Sequence, residues 1–183
     1  MLWFTSDWHL YHKNIIKYCN RPFESLEEMA RIIITNYNSV VQPKDVVYFL
    51  GDIAFCNQET LCSIIKKLNG KKHIIIGNHD HIGEQVRPYF NSIERLETIK
   101  GLYNSYILCH YPLVSWDRCN YGTIMIHGHQ HNKQEYNERM KQEHILRYDC
   151  GVDANNYYPV NEKQIIDFFG QEVLNSPRFD HHS

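Results

Sequence analysis

Two rhythms of apolar residues organise the first half of the chain. Leu2–Thr5 is a short strand-like run closed by the polar turn Ser6-Asp7-Trp8-His9. Beyond Arg21-Pro22-Phe23, Ser25-Leu26-Glu27-Glu28 has the form of a capping box, and Leu26, Met29, Ala30, Ile33, Tyr37 and Val40 recur at spacings of three and four, which predicts a helix. Pro43-Lys44-Asp45 ends it, Val46–Leu50 reads as a buried strand, and Gly51-Asp52 closes that strand. A second helix carries Leu61, Ile64, Ile65 and Leu68 on one face and stops at Gly70. Lys66, Lys67, Lys71 and Lys72 around the stop complement the negative end of that helix rather than form a binding patch. Lys72–Ile76 is a third strand, ending in Gly77-Asn78-His79-Asp80. The order βαβαβ, with a polar cluster after each strand, predicts a largely parallel sheet that binds ligands at its carboxyl edge.

The second half changes rhythm. A hairpin is expected around Lys100-Gly101, then strands at Ser105–Cys109, Thr123–Ile126 and Ile145–Cys150 with little helix between them. Asn161 caps a short final helix carrying Ile165, Ile166, Phe168 and Phe169. One domain over 1–175 and a polar tail over 176–183 are the expected organisation for 183 residues. An apolar fraction of 43% against 22% charged excludes bulk disorder. The net charge of -2 leaves no surplus cation for coating nucleic acid. The longest apolar runs are far shorter than the ~20 residues of a membrane span, and Met1–Leu10 has no leader pattern, so a cytoplasmic location is expected. The six cysteines lack CxxC spacing and read as reduced thiols.

The twelve histidines carry the chemical information, because they gather beside Asp, Asn and Gly at strand ends. A lone D-x-H means little, since Asp180-His181-His182 in the tail matches it too. Five clusters, however, each come directly after an apolar run: Asp7-Trp8-His9, Gly51-Asp52, Gly77-Asn78-His79-Asp80, Cys109-His110 and Gly128-His129-Gln130-His131. On an extended segment residues two apart share a face, so Asp7 with His9 and His129 with His131 would each aim two ligands into one cavity. Imidazole mixed with carboxylate and amide oxygen suits Mn, Fe, Co, Ni or Zn, with Mn the first choice, better than Ca or Mg. Seven such ligands exceed the needs of one ion. Two divalent ions about 3.5 to 4 Å apart would share them and activate a bridging hydroxide toward a phosphate. Their charge of +4 against Asp7 and Asp52 leaves about +2 for an anionic substrate.

The order D-x-H, G-D, G-N-H-D, H, G-H-x-H from Asp7 to His131 resembles the calcineurin-like metallophosphoesterase superfamily. Asp7–Ile16 (DWHLYHKNII), Asn20–Phe23 (NRPF), Gly151–Asn156 (GVDANN) and Tyr158-Pro159-Val160 further resemble a small bacterial and phage branch of it. The resemblance implies two facing mixed β-sheets flanked by helices. It also implies that Asp7, His9 and His131 bind one ion, that Asn78, His110 and His129 bind the other, and that Asp52 bridges them. His79 is left for catalysis, contacting the phosphate or protonating the leaving oxygen. Gly51-Asp52 continues as Ile53-Ala54-Phe55, without the second Asp and the Arg of protein Ser/Thr phosphatases, so a phosphoprotein substrate is disfavoured.

Around this set, Asp80 either orients His79 or caps a helix starting at His81. His12 and Arg21 are candidates to touch substrate phosphate. His127 is either a donor behind His129 or a buried structural residue, and His73 and His144 read as structural. Trp8, Tyr11, Tyr111 and Trp116 flank the clusters and are weak candidates to stack on a base. The leading expectation is a metal-dependent phosphoesterase, phosphodiesters slightly ahead of monoesters, acting on a small nucleotide or nucleic-acid end. The alternatives are a catalytically silent protein-binding scaffold of the same fold, as in the retromer subunit that resembles this superfamily, and a β-lactamase-like metallohydrolase whose H-x-H-x-D-H block is approached at His127–Asn132. Walker, G-x-G-x-x-G and G-x-S-x-G motifs are absent.

Overall fold

The computed structural model describes residues 1–175; the expected polar tail lies outside them. The elements run β1 (Leu2–Thr5), α1 (Ile15–Tyr18), α2 (Leu26–Val40), β2 (Val46–Phe49), α3 (Gln58–Ile65), β3 (Lys71–Ile75), β4 (Ser92–Glu94), β5 (Leu96–Lys100), β6 (Ser105–Cys109), β7 (Ile124–His127), α4 (Gln134–Gln142), β8 (Arg147–Asp149), β9 (Val160–Asn161) and α5 (Glu162–Leu174). They build two facing mixed sheets, ordered β4-β3-β2-β1-β9 and β5-β6-β7-β8. β1 to β4 pair in parallel and β9 antiparallel to β1. In the second sheet the β5–β6 hairpin is antiparallel, and β6, β7 and β8 run parallel.

The strand runs are apolar throughout because the first sheet is covered on both faces. Val47 and Phe49 meet Ile33 and Tyr37 of α2 and Ile64 of α3 on one side. Tyr48 and Leu50 point the other way, into the core shared with Tyr106, Leu108, Ile124 and Ile126 of the second sheet and with Ile165 and Phe169 of α5. The capping box of α2 is half formed: Ser25 accepts from the Glu28 N–H at 3.1 Å, while the Glu28 carboxylate accepts from the Glu24 N–H. Just beyond α3, Lys72 Nζ donates to the carbonyls of Leu68 and Gly70, while Lys66 lies over the ring of Tyr89, so of the four lysines Lys72 is seen to bond carbonyls near that end. Asn161 and Gln164 cap α5 reciprocally.

Two expectations fail. The stretch between β7 and β8 is not helix-poor, for α4 spans nine residues there. It buries only Asn137 and Met140, so no apolar stripe announces it. No helix begins at His81, because the carboxylate of Asp80 accepts from the N–H groups of Gly77, Asp52 and Ile53 and is not free to cap a downstream turn. Among the described residues no helix is long and apolar enough to cross a membrane.

Candidate metal centre

All five sequence clusters meet where the carboxyl ends of β1, β2, β3, β6 and β7 come together. They do so by a route different from the strand alternation expected. Asp7, His9, Asp52, His129 and His131, five of the seven candidate ligands, have φ between 48° and 72°, in the left-handed region that non-glycine residues seldom adopt. Asp7-Trp8-His9 and His129-Gln130-His131 are therefore turns whose strain is held by their surroundings, as is common where side chains must converge. Glycines make room for that convergence. A Cβ on Gly128 would collide with the side chains of Ser6 and Asp7, and one on Gly77 with the carboxylate of Asp52.

Each carboxylate is anchored by one oxygen and aimed by the other. Asp7 Oδ2 accepts from the His129 N–H at 2.9 Å, and Asp52 Oδ1 from the His79 N–H at 2.9 Å. Asp52 Oδ2 then lies 3.4 Å from His9 Nε2 and 3.5 Å from His110 Nε2, midway between the two imidazoles. Asn78 Oδ1 lies 2.9 Å from both His110 Nε2 and His129 Nδ1. Asp7, His9 and His131 form one group with donor atoms within 4.8 Å of one another, and Asp7, Asp52 and His110 another.

This donor set fits divalent ions. Asp7 Oδ1 and both ring nitrogens of His9 are buried without hydrogen-bond partners, an arrangement a cation relieves. His110 Nδ1 is 2.7 Å from the Leu50 carbonyl, which requires an N–H there. In the neutral ring the Nε2 lone pair then faces the oxygens of Asp52 and Asn78, so either a second proton or a metal ion must stand between them.

A family profile for calcineurin-like phosphoesterases matches residues 1–180. The chain belongs to the calcineurin-like phosphoesterase family. An uncharacterised protein of Methanocaldococcus jannaschii is 38% identical over 174 residues, covering 90% of this chain and 89% of the relative. The gene 66 protein of Mycobacterium phage L5 is 28% identical over 182 residues, with 83% and 86% covered. The crystal structure of a protein of unknown function from Aquifex aeolicus superposes with a TM-score of 0.70 at 28% identity, over 90% of this chain and 97% of that one. Family membership sets aside the β-lactamase-like alternative.

The layer behind the ligands revises several expectations. Arg21 is no phosphate contact: its side chain is fully buried, forks onto both oxygens of Asp153 at 3.1 and 2.7 Å, and donates to the backbone carbonyls of Asp7 and Trp8. It thus clamps the strained first turn of this calcineurin-like site. Asp153 Oδ2 also holds His131 Nδ1 at 3.0 Å, leaving Nε2 as the ring nitrogen for an ion. Trp8 is buried edge-on between Tyr37 and Phe49, so it is unavailable to a base. Trp116 donates to the Thr123 carbonyl, and Tyr11 packs on the core. Tyr111 is 44% exposed and sits with its ring 4.6 Å from that of His129.

His127 bonds the Gly128 carbonyl and the Tyr136 hydroxyl and supports no ligand, and His73 bonds Ser92. His12 is half-buried, packed 4.3 Å from the ring of Phe55. Phe55, which the sequence marks only as a departure from the protein phosphatases, also stacks on His9 at 5.3 Å and tilts against His79 at 4.8 Å.

Electrostatics mirror the geometry. Burial opposes ionisation of Asp52, but His110, His9 and the His79 N–H together hold its carboxyl well below the usual range. Burial likewise opposes charge on His110, yet Asp52, Asp7 and the Leu50 carbonyl raise its pKa. For His131, burial is outweighed by Asp153 and Cys19, and the value is pushed up to about 10. That value exceeds the ordinary one of 6.5, so the proton favours the ion-free fold below about pH 6.5, and its contribution is lost as the pH rises through about 10.

A divalent ion must displace that proton. Ion affinity is therefore expected to rise about tenfold per pH unit for each proton displaced. Calorimetry near neutral pH in buffers of different ionisation enthalpy checks this by counting released protons. An affinity that does not change with pH would contradict it.

Proposed function

We propose that the chain is a divalent-metal-dependent hydrolase that cleaves a phosphate ester by in-line attack of water-derived hydroxide, with no covalent enzyme intermediate. The observation that carries this reading is a buried, unsatisfied floor beside an open mouth. Asp7 Oδ1 and His9 Nε2 lack partners, while His79, 5.6 Å ring to ring from His9, is exposed. Asp7, His9 and His131 would hold one ion, Asn78, His110 and His129 the other, and Asp52 both, with Mn the first choice and Fe, Zn, Co or Ni the alternatives. When bound, such a pair supplies charge to the phosphoryl oxygens and acidifies water near neutral pH.

The chain's own groups do the rest. The His79 N–H bond to Asp52 ties the ring's position to the ligand cluster, where it donates a proton to the leaving oxygen. Asp80, committed to three backbone N–H groups, positions the Gly77 and Asp52 loops rather than touching substrate. The exposed Asn78, His79 and Tyr111 leave the phosphate approachable from solvent. That openness favours a phosphodiester, such as a small nucleotide or a nucleic-acid end, over a buried monoester.

His79→Ala is expected to keep the bound ions but to slow hydrolysis of esters with poor leaving groups by on the order of 10²-fold or more, and of 4-nitrophenyl esters far less. Metal content measured beside turnover checks it, and loss of the ions would make His79 a ligand instead. No metal-stimulated hydrolysis of any phosphate ester by the wild-type protein would contradict the reading in favour of a silent scaffold.

A further inference from the structure

A cleft of about 420 Å³ adjoins the ligand cluster through Phe55 and His79. It is lined by Ala54, Phe55, Cys56 and the buried Leu61, together with His79, Asp80 and His81. Three properties fix what it can hold. It is walled by an aromatic ring whose stacking on His9 fixes that ring's orientation. Among the described residues neither Lys nor Arg lines it, so it offers no guanidinium or ammonium to an anionic group. Finally, His79 belongs both to this cleft and to the edge of the ligand cluster, 4.8 Å from Phe55 and 5.6 Å from His9.

Resting on the phosphoesterase reading above, we infer that this cleft receives the leaving group of the ester and that this group is a flat, uncharged ring system packed against Phe55. In the reaction the water oxygen forms the new bond to phosphorus and the bond to the leaving oxygen breaks. The electron pair stays on that oxygen and the His79 proton goes to it, so the ring-bearing alcohol is released into the cleft. A leaving group carrying further phosphates is disfavoured, since it meets neither Lys nor Arg in this lining.

The test uses methyl aryl phosphodiesters that share one phosphoryl group: phenyl, 2-naphthyl and a carboxylated 2-naphthyl. The wild-type protein with Mn should favour 2-naphthyl over phenyl by about tenfold in kcat/KM, the return on burying one more ring, and should disfavour the carboxylated ring. Cys56→Trp, which fills the cleft, should bring the 2-naphthyl to phenyl ratio to about one. A ratio taken within one sample cancels any loss of folded or metal-loaded protein.

Calorimetry with two non-hydrolysable ligands, (2-naphthylmethyl)phosphonate and benzylphosphonate, gives an independent reading of the cleft. Tighter binding of the naphthyl ligand without turnover of any ester would overturn the catalytic reading and, with it, the assignment of the cleft to a leaving group, leaving a site for a flat ring. Equal kcat/KM for phenyl and 2-naphthyl esters, or equal affinity for the two phosphonates, would overturn the inference and leave the phosphoesterase reading standing.

Discussion

Asp52→Asn is expected to lower metal-stimulated turnover of bis(4-nitrophenyl) phosphate by on the order of 10³-fold or more, the scale of losing a preorganised charge from a reaction site. The substitution keeps the shape of the side chain and an oxygen able to accept from the His79 N–H, so the backbone arrangement should survive. It removes the negative charge from the one carboxylate whose free oxygen lies between His9 and His110. Of the two charges that would offset the proposed pair of divalent ions, only Asp7 would remain, and the proposed common ligand would be neutral. Circular dichroism should still report the folded state, melting in chelator should fall because His9 and His110 lose the charge they face, and metal analysis should fall below two ions per chain. Near-normal turnover by this variant would contradict the role of Asp52.

Arg21→Ala should be the most destabilising of these substitutions, costing about 3–5 kcal/mol, because it leaves the Asp153 carboxylate buried without its main cation. For a chain of this size the melting temperature should fall by roughly 10 °C. The same guanidinium donates to the carbonyls of Asp7 and Trp8 and shares Asp153 with His131, so ion binding should weaken as well. Lys133, 3.3 Å from Asp153 but on the exposed side, cannot take over the buried contacts. Adding Asp153→Asn to Arg21→Ala should cost less than the sum of the two single changes, since the unpaired charge disappears. A loss below about 1 kcal/mol for Arg21→Ala alone would show that the clamp does not hold the first turn.

These two residues show what a sequence discloses and what it hides. Asp52 is legible as a candidate ligand because its strand-ending motif carries its own punctuation: an apolar run, a glycine, then a carboxylate. Gly77-Asn78 and Gly128-His129 share the apolar run and the glycine, while Asp7 and His110 follow their apolar runs after Ser6 and Cys109 without a glycine; the apolar pattern points to the parallel βαβαβ sheet and the later strands, and the pairing of two facing sheets rests on the family resemblance. Arg21 is misread from sequence because its partner lies 132 positions away, and nothing local distinguishes a buried arginine in a loop from an exposed one. The pair joins two phrases, NRPF and GVDANN, that by themselves carry only family resemblance and no sign of contact.

The left-handed turns are hidden for another reason. Asp and His carry no signature of positive φ comparable with glycine's, so alternation along a strand is the simpler expectation. Helix α4 escapes because two buried residues make no period, and Phe55 because its imidazole neighbours lie in two other loops, His9 and His12 after β1 and His79 after β3.

Crystals of the protein grown with Mn and measured for anomalous scattering give the most direct test. Two peaks should appear in the mouth, one within bonding distance of Asp7, His9 and His131, one of Asn78, His110 and His129, and both of Asp52. Ions bound elsewhere, or these seven side chains turned away from any ion at saturating Mn and neutral pH, would contradict it.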